Sequence, residues 1–102
     1  MQKTKKIDAK TALKIANKFV LENMRDRFSA GAPKIVLFPT RFIWIVPIVL
    51  TYPKVGIVGE VGEVAVDAEI GAIVGWTPIE EMEAIAKELY EGKKSDIEIT
   101  LS

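Results

Sequence analysis

The sequence predicts an α+β domain: an N-terminal helix, an antiparallel β-sheet of about four strands, a capped C-terminal helix and a possible final strand. Three observations predict it. Apolar residues recur at helical spacing between residues 9 and 28, and β-branched and aromatic residues dominate residues 34–52. A Thr-Pro pair at 77–78 then opens a second amphipathic stretch.

Asp8 stands where an N-cap belongs, because its carboxylate can accept from the free amides of a first helical turn. The helix it starts is expected to run to about Phe28, with Ala12, Leu13, Ile15, Ala16, Phe19, Val20 and Met24 on one face. Lys10, Lys14, Lys18 and Arg25 fall on the opposite side. SAGAP at 29–33 ends it, with Gly31 suited to a left-handed cap and Pro33 unable to continue.

KIVLFP at 34–39 and RFIWIVPIVLTY at 41–52 read as a strand, a tight turn at Pro39-Thr40 and a long strand. Phe42, Trp44, Val46, Ile48 and Leu50 share one face of the long strand, and Ile43, Ile45, Pro47 and Val49 share the other. Both faces are apolar, so both call for cover, and periodicity does not say which is inside. Pro47 cannot donate to a ladder, which predicts a bulge or a sheet edge beside it. YPKVGIVGEVG at 52–62 carries Gly56, Gly59 and Gly62, and reads as a mobile or bulged connection between strands. It lacks the spacing of a dinucleotide-binding loop.

In VDAEIGAI, Val64 and Val66 enter a hairpin loop and Ile73 and Val74 leave it. Gly71 sits where such a loop needs positive φ, and Asp67 can bond its own backbone in the turn. Thr77, Pro78 and Glu80 form a capping box for the second helix. Its apolar stripe is Ile79, Met82, Ile85, Ala86 and Leu89, and Gly92 is expected to end it. Ile97, Ile99 and Leu101 then alternate with polar residues as a last strand would, or as a tail that orders on contact.

A chain of 102 residues, 49% hydrophobic, is expected to form one domain over residues 1–102 with its own core. It has no cysteine and no histidine. Disulfides, thiolate metal sites, cysteine nucleophiles and imidazole acid–base chemistry are therefore absent from its repertoire. The longest apolar run, FIWIVPIVL at 42–50, is well short of the roughly 20 residues a spanning helix needs. No apolar stretch follows the basic N-terminus as a secretion signal would, so a cytoplasmic, non-membrane protein is expected. Eleven Lys and ten Glu against one Gln suggest a thermophilic source.

Net charge is zero, yet residues 1–54 carry eleven basic and three acidic side chains while residues 55–102 carry three basic and eleven acidic. The two halves are expected to lie against each other and neutralise. Glu60, Glu63, Asp67 and Glu69 are the candidates for a carboxylate metal site or hydrolase, but their spacing among valines and glycines fits neither pattern well. Lys3, Lys5, Lys6, Lys10, Lys14 and Lys18 make a basic stripe without the interleaved aromatics that nucleic-acid stacking requires, so a solvated helix face is expected and nucleic acid is not.

The pieces IDAKTALKIANKFV, FIWIVPIV and VAVDAEIGAI, within about residues 7–75, resemble the PepSY domain family. That family combines an amphipathic first helix, a strand with a Trp and a hairpin close to VDA-x-TG-x-I. The resemblance implies helices packed on an antiparallel sheet. In function it implies a non-catalytic module, which in relatives serves inhibitory or chaperone-like roles towards peptidases. The expectation is a binding or regulatory domain without cofactors that pairs with itself or a protein partner. Ile43, Ile45 and Val49 are the candidate interface, with Trp44 in the core.

Overall fold

The computed structural model describes the backbone of residues 6–101 and the side chains of residues 6–94. The fold is α+β. In chain order it has α1 (Ala9–Asn23), β1 (Phe28–Ala30), β2 (Lys34–Leu37), β3 (Phe42–Tyr52), β4 (Gly56–Asp67), β5 (Ile73–Trp76) and α2 (Ile79–Leu101). The strands form one antiparallel sheet in the order β1-β3-β4-β5, with β2 also paired to β3.

Helix α1 starts as its sequence dictates. The Asp8 carboxylate accepts from Thr11 N–H at 2.8 Å, and Ala12, Ala16 and Val20 face the core. Small residues at 12 and 16 let the helix sit close to the sheet. The helix is shorter than expected. It stops at Asn23, whose side-chain amide folds back to donate to Phe19 O at 2.9 Å. The chain then reverses at Arg27, which takes φ of 86°, so Gly31 is not the cap. Residues 28–30, expected to close the helix, form β1 instead.

β1 and β2 run along the same edge of β3. Ala30 pairs with Ile48 and Lys34 with Ile45, so three residues (31–33) face two on β3. This one-residue bulge lies opposite Pro47, whose carbonyl accepts from Gly31 N–H at 2.7 Å. In an antiparallel strand the N–H and C=O of one residue point the same way. The donor that Pro47 lacks is therefore missing on the bulged side, as expected from its ring.

The expected connection at 52–62 is largely strand. Only Pro53 to Val55 separate β3 from β4, with Gly56 at φ of 84° closing the turn. β4 pairs with β3 along its whole length, with irregularities near Ile48/Val49 and Leu50/Thr51. Its glycines answer a packing need. A Cβ on Gly62 would lie 2.7 Å from Met82 Cγ and Sδ and from Thr77 Cβ, and one on Gly59 would lie 3.0 Å from Leu89 Cδ1. Helix α2 rests directly on that backbone.

Both helices pack on one face of the sheet. Ala12, Ala16, Val20, Met82 and Ala86 share a single core with Trp44, Val46, Ile48, Leu50, Val61, Val64 and Val66. Two further expectations about α2 are corrected. The Thr77 hydroxyl accepts from Glu63 N–H at 3.0 Å, joining the helix entry to β4 where a capping box was expected. Nor does Gly92 end the helix, whose backbone continues to Leu101 in place of the last strand. Glycine inside a helix costs only about 1 kcal/mol, too little to stop it alone. The long α2 contributes to an elongated shape of 57 × 22 × 21 Å.

Candidate functional site

The face of the sheet opposite the helices is largely apolar and, among the described residues, carries no helix. Register places Ile43, Ile45, Pro47 and Val49 of β3 there, beside Val36 of β2 and Ala65 of β4. The three residues singled out from sequence therefore share this face, while Trp44 lies on the other side in the core. They differ in access. Ile43 and Val49 are already 5% and 6% exposed, covered within the chain, whereas Ile45 is half-buried.

What remains open is a shallow concavity of about 480 Å³, in which Val36, Phe38, Ile43, Ile45, Ala65 and Val74 form the apolar lining. Arg41 and Glu63 supply its charges. A neighbouring hollow of about 400 Å³ shares Ile45, Glu63 and Ala65 and continues to Trp76. Ile45 is thus the apolar side chain of β3 common to both. Phe38 and Val74, exposed by 71% and 51%, are the largest contributors that sequence reading missed, while Trp76 lies across from Val64 on the helix side with its ring 5.4 Å from that of Phe19. Their placement depends on how β2 and β5 pair with their neighbours, which local periodicity does not contain.

The acidic candidates do different things. Asp67 is 4% exposed, and its carboxylate closes the β4–β5 turn. Its Oδ1 accepts from Glu69 N–H at 2.8 Å and from Ile70 N–H at 3.3 Å, and its Oδ2 accepts from Arg41 Nη1 at 3.0 Å. Gly71, at φ of 76°, donates its N–H to Asp67 O at 2.8 Å. The turn expected from the sequence is the structure found. Glu60 and Glu63 are exposed and Glu69 is half-buried. Among the described residues no group of three or more carboxylates converges on a point that could hold a metal ion. Lys6, Lys10, Lys14 and Lys18 are exposed, and Lys3 and Lys5 lie outside the described residues.

Two ion pairs among the described residues, Arg25–Glu83 at 3.9 Å and Arg41–Asp67 at 3.0 Å, each join the basic half of the chain to the acidic half. A smaller hollow of about 240 Å³ lies where Arg27 stacks over the Tyr52 ring at 5.4 Å and Tyr52 meets Tyr90 at 6.1 Å. Asp26 and Glu83 line it together with the cations, so its charge is largely spent internally.

The amides of Glu69 and then Ile70, with the Arg41 guanidinium, hold the Asp67 carboxyl below its ordinary value of 3.8 against the opposing effect of burial. A carboxyl shifted downward is a poor proton donor near neutrality. A lowered native pKa means that its stabilisation is complete above the unfolded value and is lost as pH falls through the native one. Asp67→Asn keeps an acceptor for Glu69 but loses the charge. It should cost about 1 kcal/mol at pH 7. It should also flatten the acid limb of stability, read as urea midpoints between about pH 2 and 5. An acid limb as steep as in the parent would mean other groups govern it.

Fold and face together define a small α+β domain with one helix-covered and one open sheet surface. No family model, curated protein or solved structure matches the chain. No helix among the described residues is long and apolar enough to cross a membrane.

Proposed function

We propose that this chain is a non-catalytic binding or regulatory domain that acts through protein–protein contacts, with itself or with a partner, on the open sheet face. One observation carries the reading. Both helices cover the same side of the sheet, so on the opposite side Ile45 and its neighbours Val36, Phe38 and Val74 stay open, while Ile43 and Val49 are covered. An apolar concavity rimmed by a cation and an anion suits another protein surface. Ile45 is the central contact, with Val36, Phe38 and Val74 around it, and Ile43 and Val49 lie beneath as support. The PepSY-like assignment belongs to this reading and rests on the short motifs at 7–75. Cytoplasmic placement belongs to it as well.

Ile45→Glu tests it. The folded parent should enhance the fluorescence of an apolar-surface dye such as anilinonaphthalene sulfonate. The variant should lose most of that signal while its melting temperature moves by only a few degrees, about 1 kcal/mol for a half-exposed site. A parent that stays dark, or a variant as bright as the parent, would remove this face as the contact surface.

A further inference from the structure

The edge strand β2 is the most unusual surface on the molecule. All four residues of Lys34–Leu37 are exposed, and so is Phe38, yet Ile35, Val36, Leu37 and Phe38 are apolar. Apolar residues on both faces belong to a strand with neighbours on both sides, whereas among the described residues β2 pairs with β3 alone. The other edges are protected. β1 has its outward Ala30 N–H accepted by the Asn17 side chain at 3.0 Å. β5 carries a register irregularity next to Ala65/Val66. β2 pairs regularly over all four residues, without a bulge.

We infer that β2 is the pairing edge of a symmetric dimer, in which it joins β2 of a second copy antiparallel about a twofold axis through Val36. The backbone sets this register. Phe38 N–H donates to Arg41 O at 2.8 Å, so Phe38 turns its backbone groups towards β3. By strand alternation Val36 and Lys34 do the same, and Ile35 and Leu37 present theirs to the open edge. Centring the pair on Val36 brings Ile35 opposite Leu37 of the second copy, and Leu37 opposite its Ile35. Each pair exchanges two hydrogen bonds, four in all.

Charge also fits this orientation. Lys34 is the sole charged residue of 34–38. The antiparallel register sets it across from Phe38 of the second copy, on the same face, where an ammonium and an aromatic ring attract. A parallel pairing would bring the two lysines together. The same edge on both copies makes the contact self-complementary and closed, leaving no free β2 edge to recruit a third chain. It turns two five-stranded sheets into one continuous sheet and joins the two open faces side by side. The inference deepens the contact reading above by naming a partner, and it fails separately from the groove.

The test combines solution mass with backbone amide exchange on the intact chain. The parent should scatter light as twice its 11.3 kDa mass. The amides of Ile35 and Leu37 should exchange slowly although they face outward. Leu37→Lys, at an exposed site, should return the mass to the single chain and speed exchange at Ile35 roughly tenfold or more. Leu37→Pro should do the same to mass, because it removes an outward donor and leaves the β2–β3 ladder intact. Ile45→Glu should keep the dimer, since its side chain sits one strand in from the edge. A parent that is monomeric at its highest soluble concentration, or whose Ile35 and Leu37 amides exchange freely, overturns the inference. So does a dimer that survives both Leu37 variants; if Ile45→Glu then dissolves it, the groove is the contact and only the edge pairing falls.

Discussion

Trp44→Ala should destabilise the fold by about 3–5 kcal/mol, the range for truncating a buried aromatic residue. That is a large share of the 5–15 kcal/mol typical of a small domain. Trp44 is 5% exposed, lies across from Val66 on β4 and belongs to the core that α1 shares with the sheet. Its Nε1–H also donates to Ile7 O at 2.7 Å. That bond ties down the segment leading into α1, because Lys6 and Ile7 both donate their N–H to Ala68 O in the β4–β5 turn. The ring thus supports two things, core volume and the anchoring of the segment before α1. Trp44→Phe separates them. It should cost about 1–2 kcal/mol, mostly the orphaned carbonyl, and it should free the amides of Lys6 and Ile7 to exchange faster. Urea unfolding with an unchanged slope would measure the first effect. An alanine variant losing less than about 1 kcal/mol would show that the core closes around the gap.

Gly62→Val should be nearly as damaging, at about 3 kcal/mol, with Gly62→Ala at about 1–3 kcal/mol. A Cβ there would meet Met82 Cγ, Met82 Sδ and Thr77 Cβ, all at 2.7 Å. Met82 is fully buried in the core, so any shift of its side chain disturbs the packing around it. Thr77 is held because its hydroxyl accepts from the amide of Glu63, next to Gly62 itself. Backbone must therefore move, prying α2 from β4. Two other glycines serve as controls, since a Cβ on Gly75 or Gly92 meets nothing within 4 Å. Gly75→Ala should be close to neutral. Gly92→Ala should stabilise by about 0.5–1 kcal/mol, as helical propensity dictates. A Gly92→Ala variant that destabilises would argue against a helix running through that position.

Features decided by neighbours in sequence were legible. Asp8 capping Thr11, Asp67 and Gly71 shaping their turn, and Pro47 forcing a bulge all depend on side chain and backbone within one or two contacts. The alternation of β3 also divided its residues between the faces as found, with Trp44 inside. Features decided by distant packing were not. The glycines at 59 and 62 look locally like a loop, and only the approach of Leu89 and Met82 explains why a strand needs them. Thr77 obeys a local capping rule on paper, but Glu63 N–H, fourteen residues away, takes its hydroxyl. The left-handed turn after α1 fell to Arg27, whose carbonyl accepts from Thr51 N–H at 2.7 Å, and not to the glycine that local preference favours.

The candidate face was half legible for the same reason. Ile43, Ile45 and Val49 could be grouped from period alone. That Ile43 and Val49 are covered while Val36, Phe38 and Val74 stay open depends on strand register and on which side the helices chose.

The two glycine contacts on β4 have a geometric consequence. Gly62 receives Met82 and Gly59 receives Leu89, so seven residues of helix span three residues of strand, running in opposite directions. Two helical turns advance about 10.5 Å, and three strand residues about 10 Å. The two repeats are commensurate, and α2 engages β4 like a toothed bar seated in two notches. Sliding the helix by a single turn, about 5.4 Å, would lift both teeth out at once. The helix is thereby indexed lengthwise against the sheet, and how far its remaining turns project is determined by those two notches.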